Sequence, residues 1–408
     1  MKWQTLTHHL VTATLVAMFV FMMAPCDAAQ GESTDAPAAK PSIQKPPPGF
    51  PKHEQPKSRA FAKRIARDLA RFDRTVTAST DLPITVFPDG IGFDSLDEAF
   101  EFCSREKRSA KSGSRLWSYL VLQPGIYTGN YNMPQNTIVI GDAGPAATLI
   151  IGALGVNAPA LTATAPSGST QTQFGLMGIG VLGRAVAAVG YTGTNAHADL
   201  HIENCFISAD ATQVTPAIKM VGTGYGDDEE FEVSVVRSDV GSALGAACEA
   251  NIGDYADLNF DHSAIWGYTL AVDVQGGGSN DSGIFILDCY LEGEDSTRPA
   301  VDVREVNWLS LHGCEIEATG GGDAVNYADS FGGECERCEI YSESGDGVTL
   351  SAITWYEMSY NKISAWDPAA RAVYLANNSN AYLYYTGLNA TTEIADDGSS
   401  YYTLTYCH

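Results

Sequence analysis

Positive charge is scarce over most of this 408-residue chain. The sequence has 24 Lys and Arg against 49 Asp and Glu, a net charge of −25, and only eight of the basic residues follow Leu116. A strongly negative surface repels polyanions at long range. Nucleic acid is therefore not an expected partner, and acidic polysaccharides such as pectate or alginate are poor ones. The charge by itself identifies no partner, because acidic proteins of this kind are also simply soluble.

A membrane-spanning length of apolar sequence is lacking at the N-terminus. The apolar run at residues 10–23 is too short to favour a span. It follows a basic residue, Lys2, and precedes small residues that include Ala28 and Ala29. This is the pattern of a secretory signal peptide at residues 1–29. The prediction is a protein that is secreted or held at the cell envelope.

Two further segments precede the main body of the chain. Residues 30–56 are Pro-rich and polar, which predicts a linker. Residues 57–80 are basic, and their apolar side chains recur at the spacing of an amphipathic helix, at Phe61, Ile65, Leu69 and Phe72. The basic face would suit attachment to an anionic envelope or partner. The same pattern also suits a helix packed on the protein or on a neighbouring subunit, and the oligomeric state is not predicted.

Seven short segments in the second half of the chain share one pattern, a small residue (Asn in the last) in second place and an aliphatic residue in fourth. They are residues 204–207, 237–240, 262–265, 288–291, 313–316, 337–340 and 360–363. Successive second residues are about 33, 25, 26, 25, 24 and 23 positions apart, which is in the range of solenoid repeats. An Ala-Val pair or a near relative recurs between them, and no helical period is present. One such unit cannot bury its apolar side alone, but a stack can.

The fold class that these repeats predict is all-β, a right-handed parallel β-helix over residues 85–400 with about 25 residues per coil. Equivalent residues then form columns along the axis. The column of second residues is predicted to point inward; it comprises Cys205, Ser238, Ser263, Cys289, Cys314, Cys338 and Asn361. The open N-terminal end needs a cover. Ser95 to Glu98 has the form of a helix capping box, and an apolar stripe follows it, so the sequence predicts an N-terminal capping helix that buries Leu96, Ala99, Phe100 and Cys103.

The first predicted strands carry a resemblance to a known family. Residues 120–127 read Leu-Val-Leu-Gln-Pro-Gly-Ile-Tyr, and short apolar strands that end in Gly follow at 137–141 and 149–152. With the later repeats, the chain resembles the pectin-lyase-like β-helix superfamily over about residues 85 to 390. That superfamily includes pectate lyases, pectin methylesterases, polygalacturonase-like hydrolases and phage tailspikes. The resemblance implies the fold; it implies an activity only poorly, because function belongs to sites and not to folds.

Catalytic signatures of these enzymes are absent from the sequence. It contains no Asp-Phe-Ile-Phe-Gly, Asn-Thr-Asp or Gly-His-Gly segment. Lyases of this fold usually need a Lys or Arg base beside calcium-binding carboxylates, and basic residues are few here. No catalytic residue of the family is therefore transferred to this chain.

One outward column offers a catalytic pair. Two residues past each Ala of the Ala-Val motif, the predicted column reads Lys219, Cys248, Asp273, Asp302, Asn326, Thr349 and Tyr374. Asp273 and Asp302 would lie on adjacent coils, and carboxylates about 5 Å apart suit a retaining glycosidase. Arg304, on the same face, would bind an acidic group of the substrate. The competing interpretation is an ordinary acid-lined solvent face with Arg304 as a counter-charge.

Aromatic and acidic residues suggest further contacts with a ligand. Trp266 and Tyr341 are predicted to point outward and to stack on sugar rings, although such aromatics also pack loops. A third column holds Tyr290, Glu315, Glu339 and Lys362, with Glu317 beside it, and a fourth holds Asp323, Asp346 and Arg371. The fourth column equally fits turn chemistry. Stacked carboxylates could collect calcium, but no spaced calcium-loop motif is present, so no metal site and no cofactor are assigned.

The cysteines fit a structural role. The spacing of Cys335 and Cys338 could suggest redox or zinc chemistry, but a zinc site needs four ligands and no second pair is available. Cys338 is predicted in the core and Cys335 in the turn before it. A disulfide between Cys289 and Cys314, or between Cys314 and Cys338, stays open, because a secreted protein permits one.

Two functions are compatible with these observations. The first is a carbohydrate-active protein associated with an extracellular polysaccharide, which it could cleave as a glycoside hydrolase or lyase. The fold resemblance, the signal peptide and the acidic column favour it. The second is a non-catalytic surface protein, an adhesin or a tailspike-like binder. The missing catalytic signatures and the basic N-terminal segment favour that alternative.

Overall fold

The computed structural model describes residues 84–87, 91–109, 118–184, 186–209, 214–226, 230–277, 281–295 and 297–407. The predicted signal peptide, linker and basic helix lie outside these residues. Within them the chain forms parallel strands that coil into a β-helix with three faces, and one of these faces is a sheet of 11 strands. The predicted fold class is confirmed. Among the helical residues described, no segment has both the length and the apolar character that crossing a bilayer requires.

Each coil contributes one strand to each face. The first face contains β5 (Tyr131–Met133), β8 (Leu161–Thr164), the start of β11 (Val189–Glu203), β13 (Ile218–Gly224), β16 (Cys248–Ile252), β19 (Val272–Gln275), β22 (Val301–Arg304), the starts of β25 (Val325–Glu336) and β27 (Val348–Ser359), β29 (Arg371–Ala376) and β32 (Thr392–Asp396).

The second face joins the first in one 22-stranded sheet, because β11, β25 and β27 run through both. Its other strands are β3 (Ser118–Leu122), β6 (Thr137–Gly141), β9 (Gly168–Met177), β14 (Phe231–Val236), β17 (Ala256–Asp261), β20 (Gly283–Leu287), β23 (Trp308–His312), β30 (Asn380–Tyr384) and β33 (Tyr401–Thr405). Two antiparallel strands, β1 (Ile84–Phe87) and β2 (Ile91–Phe93), extend its N-terminal edge.

The third face is the separate 11-stranded sheet. It contains β4 (Gly125–Thr128), β7 (Thr148–Ile151), β10 (Gly180–Gly183), β12 (Phe206–Ala209), β15 (Asp239–Ser242), β18 (Ala264–Gly267), β21 (Tyr290–Gly293), β24 (Glu315–Ala318), β26 (Glu339–Ser342), β28 (Lys362–Ala365) and β31 (Gly387–Asn389).

Neighbouring coils pair in register, so side chains form columns. On the third face Tyr290 pairs with Glu315, Glu315 with Glu339, and Glu339 with Lys362, steps of 25, 24 and 23 residues. Alternate residues of each strand point out and in. The predicted inward column is confirmed, because its seven members from Cys205 to Asn361 are only 2–5% exposed. The core consists of such inward residues from all three faces.

A left-handed backbone position precedes each inward residue at the turn between the second and third faces. Positive φ angles of about 50–60° recur there, at Asn204, Arg237, His262, Asp288, Arg337, Tyr360, Tyr385 and Tyr406, with Gly178 and Gly313 at the same position in two further coils. This conformation is uncommon for residues other than Gly. Its repetition shows that the geometry of the turn, rather than the side chain, selects the conformation. The repeated four-residue motif of the sequence is therefore a turn followed by a third-face strand.

The predicted N-terminal cap is confirmed. Helix α1 (Leu96–Ser109) begins after Ser95, whose Oγ accepts a hydrogen bond from the backbone N–H of Glu98 at 3.3 Å. Its apolar stripe is buried: Leu96, Ala99, Phe100 and Cys103 are at most 5% exposed. The Phe100 ring meets Tyr131 of β5 edge to face at 6.2 Å. The helix thus covers the first coil and closes that end of the core.

The cysteines of the described residues are all free thiols, including Cys289, Cys314 and Cys338. The predicted position of Cys335 is wrong. It lies in β25 and is 1% exposed, with its side chain in the core. The turn begins at Arg337, the residue with positive φ, as it does at the equivalent residue of the other coils. Cys335 therefore still belongs to the second-face strand, where it pairs with Leu311.

Candidate functional site

The predicted carboxylate pair lies on the first face as expected. Asp273 of β19 and Asp302 of β22 are register partners on adjacent coils. One member of the predicted column is wrong: Glu249, not Cys248, stands between Lys219 and Asp273. The Ala that aligns with Ala217 is Ala247, so the count from Ala246 was one residue short and Cys248 points inward.

Both carboxylates of this pair are bound by arginines. Arg304 donates to Asp302 from Nε at 2.9 Å and from Nη2 at 2.8 Å, and Asn326 adds a third bond to Asp302 at 2.7 Å. Arg298 donates to Asp273 at 2.8 Å. Burial raises the pKa of Asp273, and the Arg298 hydrogen bond opposes that shift. The predicted substrate ligand Arg304 is therefore engaged within the chain, and the pair forms two ion pairs on neighbouring coils.

The fourth column has the turn chemistry that the sequence allowed. Arg371 donates to Asp346 from Nε at 3.0 Å and from Nη2 at 2.5 Å. Asp323 accepts hydrogen bonds from the backbone N–H of Asp346 at 2.8 Å and from the hydroxyl of Thr349 at 2.7 Å. These bonds join successive coils.

The two predicted sugar-stacking residues lie on the third face, away from the Asp273–Asp302 pair. Trp266 and Tyr341 belong to one outward column, with Glu292 and Glu317 between them. Three strand spacings, about 14 Å, separate the two aromatics. Trp266 packs over the preceding coil at Gly241, where an added Cβ would lie only 2.0 Å from the indole. The Gly at that position is therefore required by the aromatic ring beside it.

A second carboxylate pair, which the sequence analysis did not select, lies on the second face. Asp199 of β11 and Glu232 of β14 are register partners, with Gln173 before them and Asp257 after them in the same outward column. Asp199 accepts hydrogen bonds from Gln173 at 2.9 Å and from Gln171 at 3.3 Å, both at Oδ2. No Arg or Lys is bonded to this carboxylate pair among the ion pairs of the described residues.

The protonation of Glu232 distinguishes this pair. Burial, and then the nearby charge of Asp199, raise the pKa of Glu232 to about 7, against the stabilising hydrogen bond from Asn259 at 2.7 Å. A carboxyl group with such a pKa can keep its proton near neutral pH and act as an acid. The pair thus offers a carboxylic acid beside a second carboxylate that is held by two amides.

A buried carboxylate with an ion-pair partner lies beside the Asp199–Glu232 pair, on the same strand β11 as Asp199. Glu203 is 3% exposed and pairs with Arg237 of the next coil. His201, between Asp199 and Glu203 on the strand, lies 3.5 Å from Glu203, and burial lowers the pKa of His201 to about 4. The histidine is therefore a neutral side chain at physiological pH, and its buried position supports the strand from which Asp199 projects.

A signal for the second pair does exist in the sequence. Asp199, Glu232 and Asp257 each stand six residues before the small residue of the repeated motif, at Cys205, Ser238 and Ser263. Counting back from the motif along the preceding strand would have aligned them in one column. Residues that follow the Ala-Val motif align instead on the first face.

Metal binding has no candidate within the described ranges, where no group of three or more His, Cys, Asp and Glu residues is arranged to hold an ion. The third column, considered for calcium, uses its groups internally: Lys362 donates to Glu339 at 2.5 Å. The Tyr290 hydroxyl lies 3.0 Å from Glu292 and 3.1 Å from Glu317.

Comparison with known proteins gives only distant similarities. No protein-family model matches the chain, and no curated protein matches it. Among solved structures, the A-module of a mannuronan C-5 epimerase from Azotobacter vinelandii is similar at 12% identity and a TM-score of 0.41, over 77% of this chain and 94% of that one. Tailspike protein 3 of bacteriophage CBA120 is similar at 11% identity and a TM-score of 0.35, over 84% of this chain and 68% of that one.

Proposed function

We propose that this is a secreted or cell-envelope β-helix protein of the pectin-lyase-like superfamily that binds an extracellular polysaccharide and cleaves it as a glycoside hydrolase. The observation that carries the proposal is the pairing of Asp199 and Glu232 on adjacent coils, in environments that differ. Glycoside hydrolysis needs two carboxyl groups, one protonated and one ionised. The raised pKa of Glu232 suits the role of the protonated group, and Asp199, which accepts a hydrogen bond from Gln173, is proposed as the nucleophile.

The spacing of the pair favours a retaining reaction. Adjacent strands lie about 4.8 Å apart, close to the separation of about 5 Å in retaining glycosidases. Glu232 gives its proton to the glycosidic oxygen while the bond from that oxygen to the anomeric carbon breaks. The Asp199 carboxylate attacks the same carbon and forms a glycosyl ester. Water then displaces Asp199, and Glu232 takes the proton that water loses, which restores both groups.

The substrate class follows from charge. The chain has a net charge of −25, and the catalytic column itself continues with Asp257. A polyuronate would be repelled at long range. An uncharged polysaccharide carries no such penalty, and its hydroxyl groups can bond to the amides of Gln171, Gln173 and Asn259 as well as to the carboxylates.

The test is hydrolysis of a panel of uncharged polysaccharides, followed by release of reducing ends and by NMR of the anomeric product. Glu232→Gln and Asp199→Asn should lower the rate at least a hundredfold while both variants stay folded, as a cooperative thermal transition would show. Glu249→Gln, at a half-buried carboxylate of the first face that pairs with Lys219, is the matched control and should keep full activity. A retaining enzyme releases product with the anomeric configuration of the substrate.

The same assay separates this site from the other interpretations. Asp273 and Asp302 stay the alternative pair, and loss of activity in Asp273→Asn with full activity in Glu232→Gln would move catalysis to the first face. Binding of polysaccharide without any cleavage would instead support the non-catalytic role of an adhesin or a tailspike-like binder.

A further inference from the structure

The third face carries a cleft of about 380 Å³ that is separate from both carboxylate pairs. Strands β24, β26, β28 and β31 form its floor. Two outward columns line it, one with Glu315, Glu339 and Lys362 and the other with Glu317, Tyr341, Ser364 and Asn389. The cleft therefore extends along the axis of the β-helix over several coils, as a binding site for a linear polymer would.

An aromatic corner forms one wall of the cleft. Tyr341 and Trp366 meet edge to face with their ring centroids 5.1 Å apart. Trp366 is 68% exposed, although the backbone N–H of this residue is bonded to Ser342 at 3.2 Å. The backbone of Trp366 is thus fixed, while the apolar surface of its indole ring stays accessible to a ligand. Burial of that surface by a ligand is favourable, at about 25 cal/mol per Å².

Polar groups form the remaining walls. Glu315, Glu317 and Glu339 present carboxylates, and one cation, Lys362, is paired with Glu339. Ser364 and Asn389 add a hydroxyl and an amide. A site with one apolar aromatic wall and several hydrogen-bonding groups suits a molecule with apolar ring faces and polar edges. A sugar has that character, and the excess of carboxylates excludes an anionic sugar.

We propose that this aromatic cleft is a second binding site for the uncharged polysaccharide, at which the chain is held and not cleaved. The class of ligand rests on the proposed function; the location rests on the cleft itself. Glu232 lies on the second face, and its coil is three strand spacings, about 14 Å along the axis, from the start of the cleft at β24. A polymer can therefore be held in the cleft without occupying the Asp199–Glu232 site.

The experiment measures the affinity of the full chain for hydroxyethyl cellulose, galactomannan and dextran by affinity electrophoresis, with alginate as the anionic comparison. Glu232→Gln is used so that no polymer is consumed. In this background Trp366→Ala and Tyr341→Ala should each weaken binding at least tenfold, and alginate should not bind. Tyr268→Ala removes an aromatic that is 50% exposed outside the cleft and should leave the affinity unchanged. Thermal midpoints check that each variant is folded.

The outcomes keep the two proposals apart. Equal affinity in Trp366→Ala and its parent overturns the cleft, as does failure of every uncharged polymer to bind. A wild-type protein that releases no reducing ends, yet loses binding through Trp366→Ala, refutes hydrolysis and leaves the cleft standing. If Trp366→Ala still cleaves short oligosaccharides at the wild-type rate but long polymers more slowly, both proposals are supported.

Discussion

The side chain of Ser238 accepts a hydrogen bond from the backbone N–H of Cys205, 33 residues earlier in the chain, at 3.0 Å. The same bond recurs from Ser238 to Ser263 at 3.1 Å, and from Cys338 to Asn361 at 2.8 Å. Each small inward residue thus satisfies the amide of its counterpart one coil before. The repeated motif of the sequence encodes a ladder of side-chain hydrogen bonds inside the core, as well as a packing column.

Asn361→Ala is expected to destabilise the protein through this ladder. The Asn361 amide accepts from the Cys338 backbone N–H and donates to the Cys335 carbonyl, each at 2.8 Å. Removing both bonds leaves two buried backbone groups without these hydrogen bonds, at a cost of about 1–3 kcal/mol for each unsatisfied group. Denaturant unfolding should show the loss. Asn251→Ala, at an exposed position of β16, should change the free energy of unfolding little, and equal effects of the two variants would contradict the ladder.

The two first-face ion pairs should respond differently to loss of the arginine. Asp302 is 3% exposed and Asp273 is 29% exposed, whereas their partners Arg304 and Arg298 are similarly accessible. A buried carboxylate without its partner is costly, and an exposed one is hydrated by water. Arg304→Ala should therefore lower the free energy of unfolding more than Arg298→Ala does. Thermal midpoints at two salt concentrations measure this; a larger effect at Arg298 would refute the argument.

Stability should fall with rising pH through Glu232. The folded-state pKa of about 7 lies above the ordinary value of 4.5. Below pH 4.5 both states hold the proton, so Glu232 costs nothing there. Between pH 4.5 and 7 the unfolded chain loses the proton first. The free energy of unfolding therefore declines with rising pH, at a slope of up to about 1.4 kcal/mol per pH unit for one proton.

Glu232→Gln removes that contribution and serves as the measurement. The stability of the variant relative to the wild type should rise from pH 4.5 to 7 and then level off. The buried His201 titrates in the same range with the opposite sign, because its folded pKa is lowered to about 4. The difference between the two proteins cancels that term. A difference that is constant over the whole range would contradict the raised pKa.

The core cysteines should resist alkylation in the folded protein. Cys289, Cys314 and Cys338 are at most 3% exposed, and burial raises the pKa of Cys289 well above its ordinary value, so its thiolate is scarce at pH 8. Iodoacetamide should modify these residues only after denaturation, whereas the partly exposed Cys407 reacts first. Mass spectrometry of tryptic peptides reads out each site. Rapid alkylation of Cys314 in the folded protein would contradict the prediction, because it would show that the reagent reaches the inward column.

The fold could be predicted because its determinants are local and repeated. The small inward residue, the aliphatic residue two places later and the near-constant spacing specify coil after coil, and the capping box at Ser95 specifies the end. Prediction failed where a turn changed length, as at Cys248 and Glu249, or where the end of a second-face strand was assigned to the turn that follows it, as at Cys335. Those differences arise from the packing of neighbouring coils, which a single repeat does not display.

The candidate site was less predictable because charge partners come from turns and from other faces. The column that holds Asp273 and Asp302 followed from the repeat. The hydrogen bond from Arg298 to Asp273 did not follow from the repeat, because Arg298 lies in the segment before β22. The unusual protonation of Glu232 depends on burial and on Asp199, 33 residues away, and neither can be read from the type of residue alone.

Each coil bonds only to the coils on either side, so resistance to unfolding is a property of position along the axis. The first coil is covered by α1. At the other end, in the described part of the chain, β33 pairs only with β30 and leaves Tyr401 58% exposed. Fraying should begin there and advance coil by coil. The aromatic cleft reaches β31, next to that end, whereas Asp199 and Glu232 lie deep in the stack. On warming, the protein should lose its affinity for a long glycan before it loses the capacity to hydrolyse a short one.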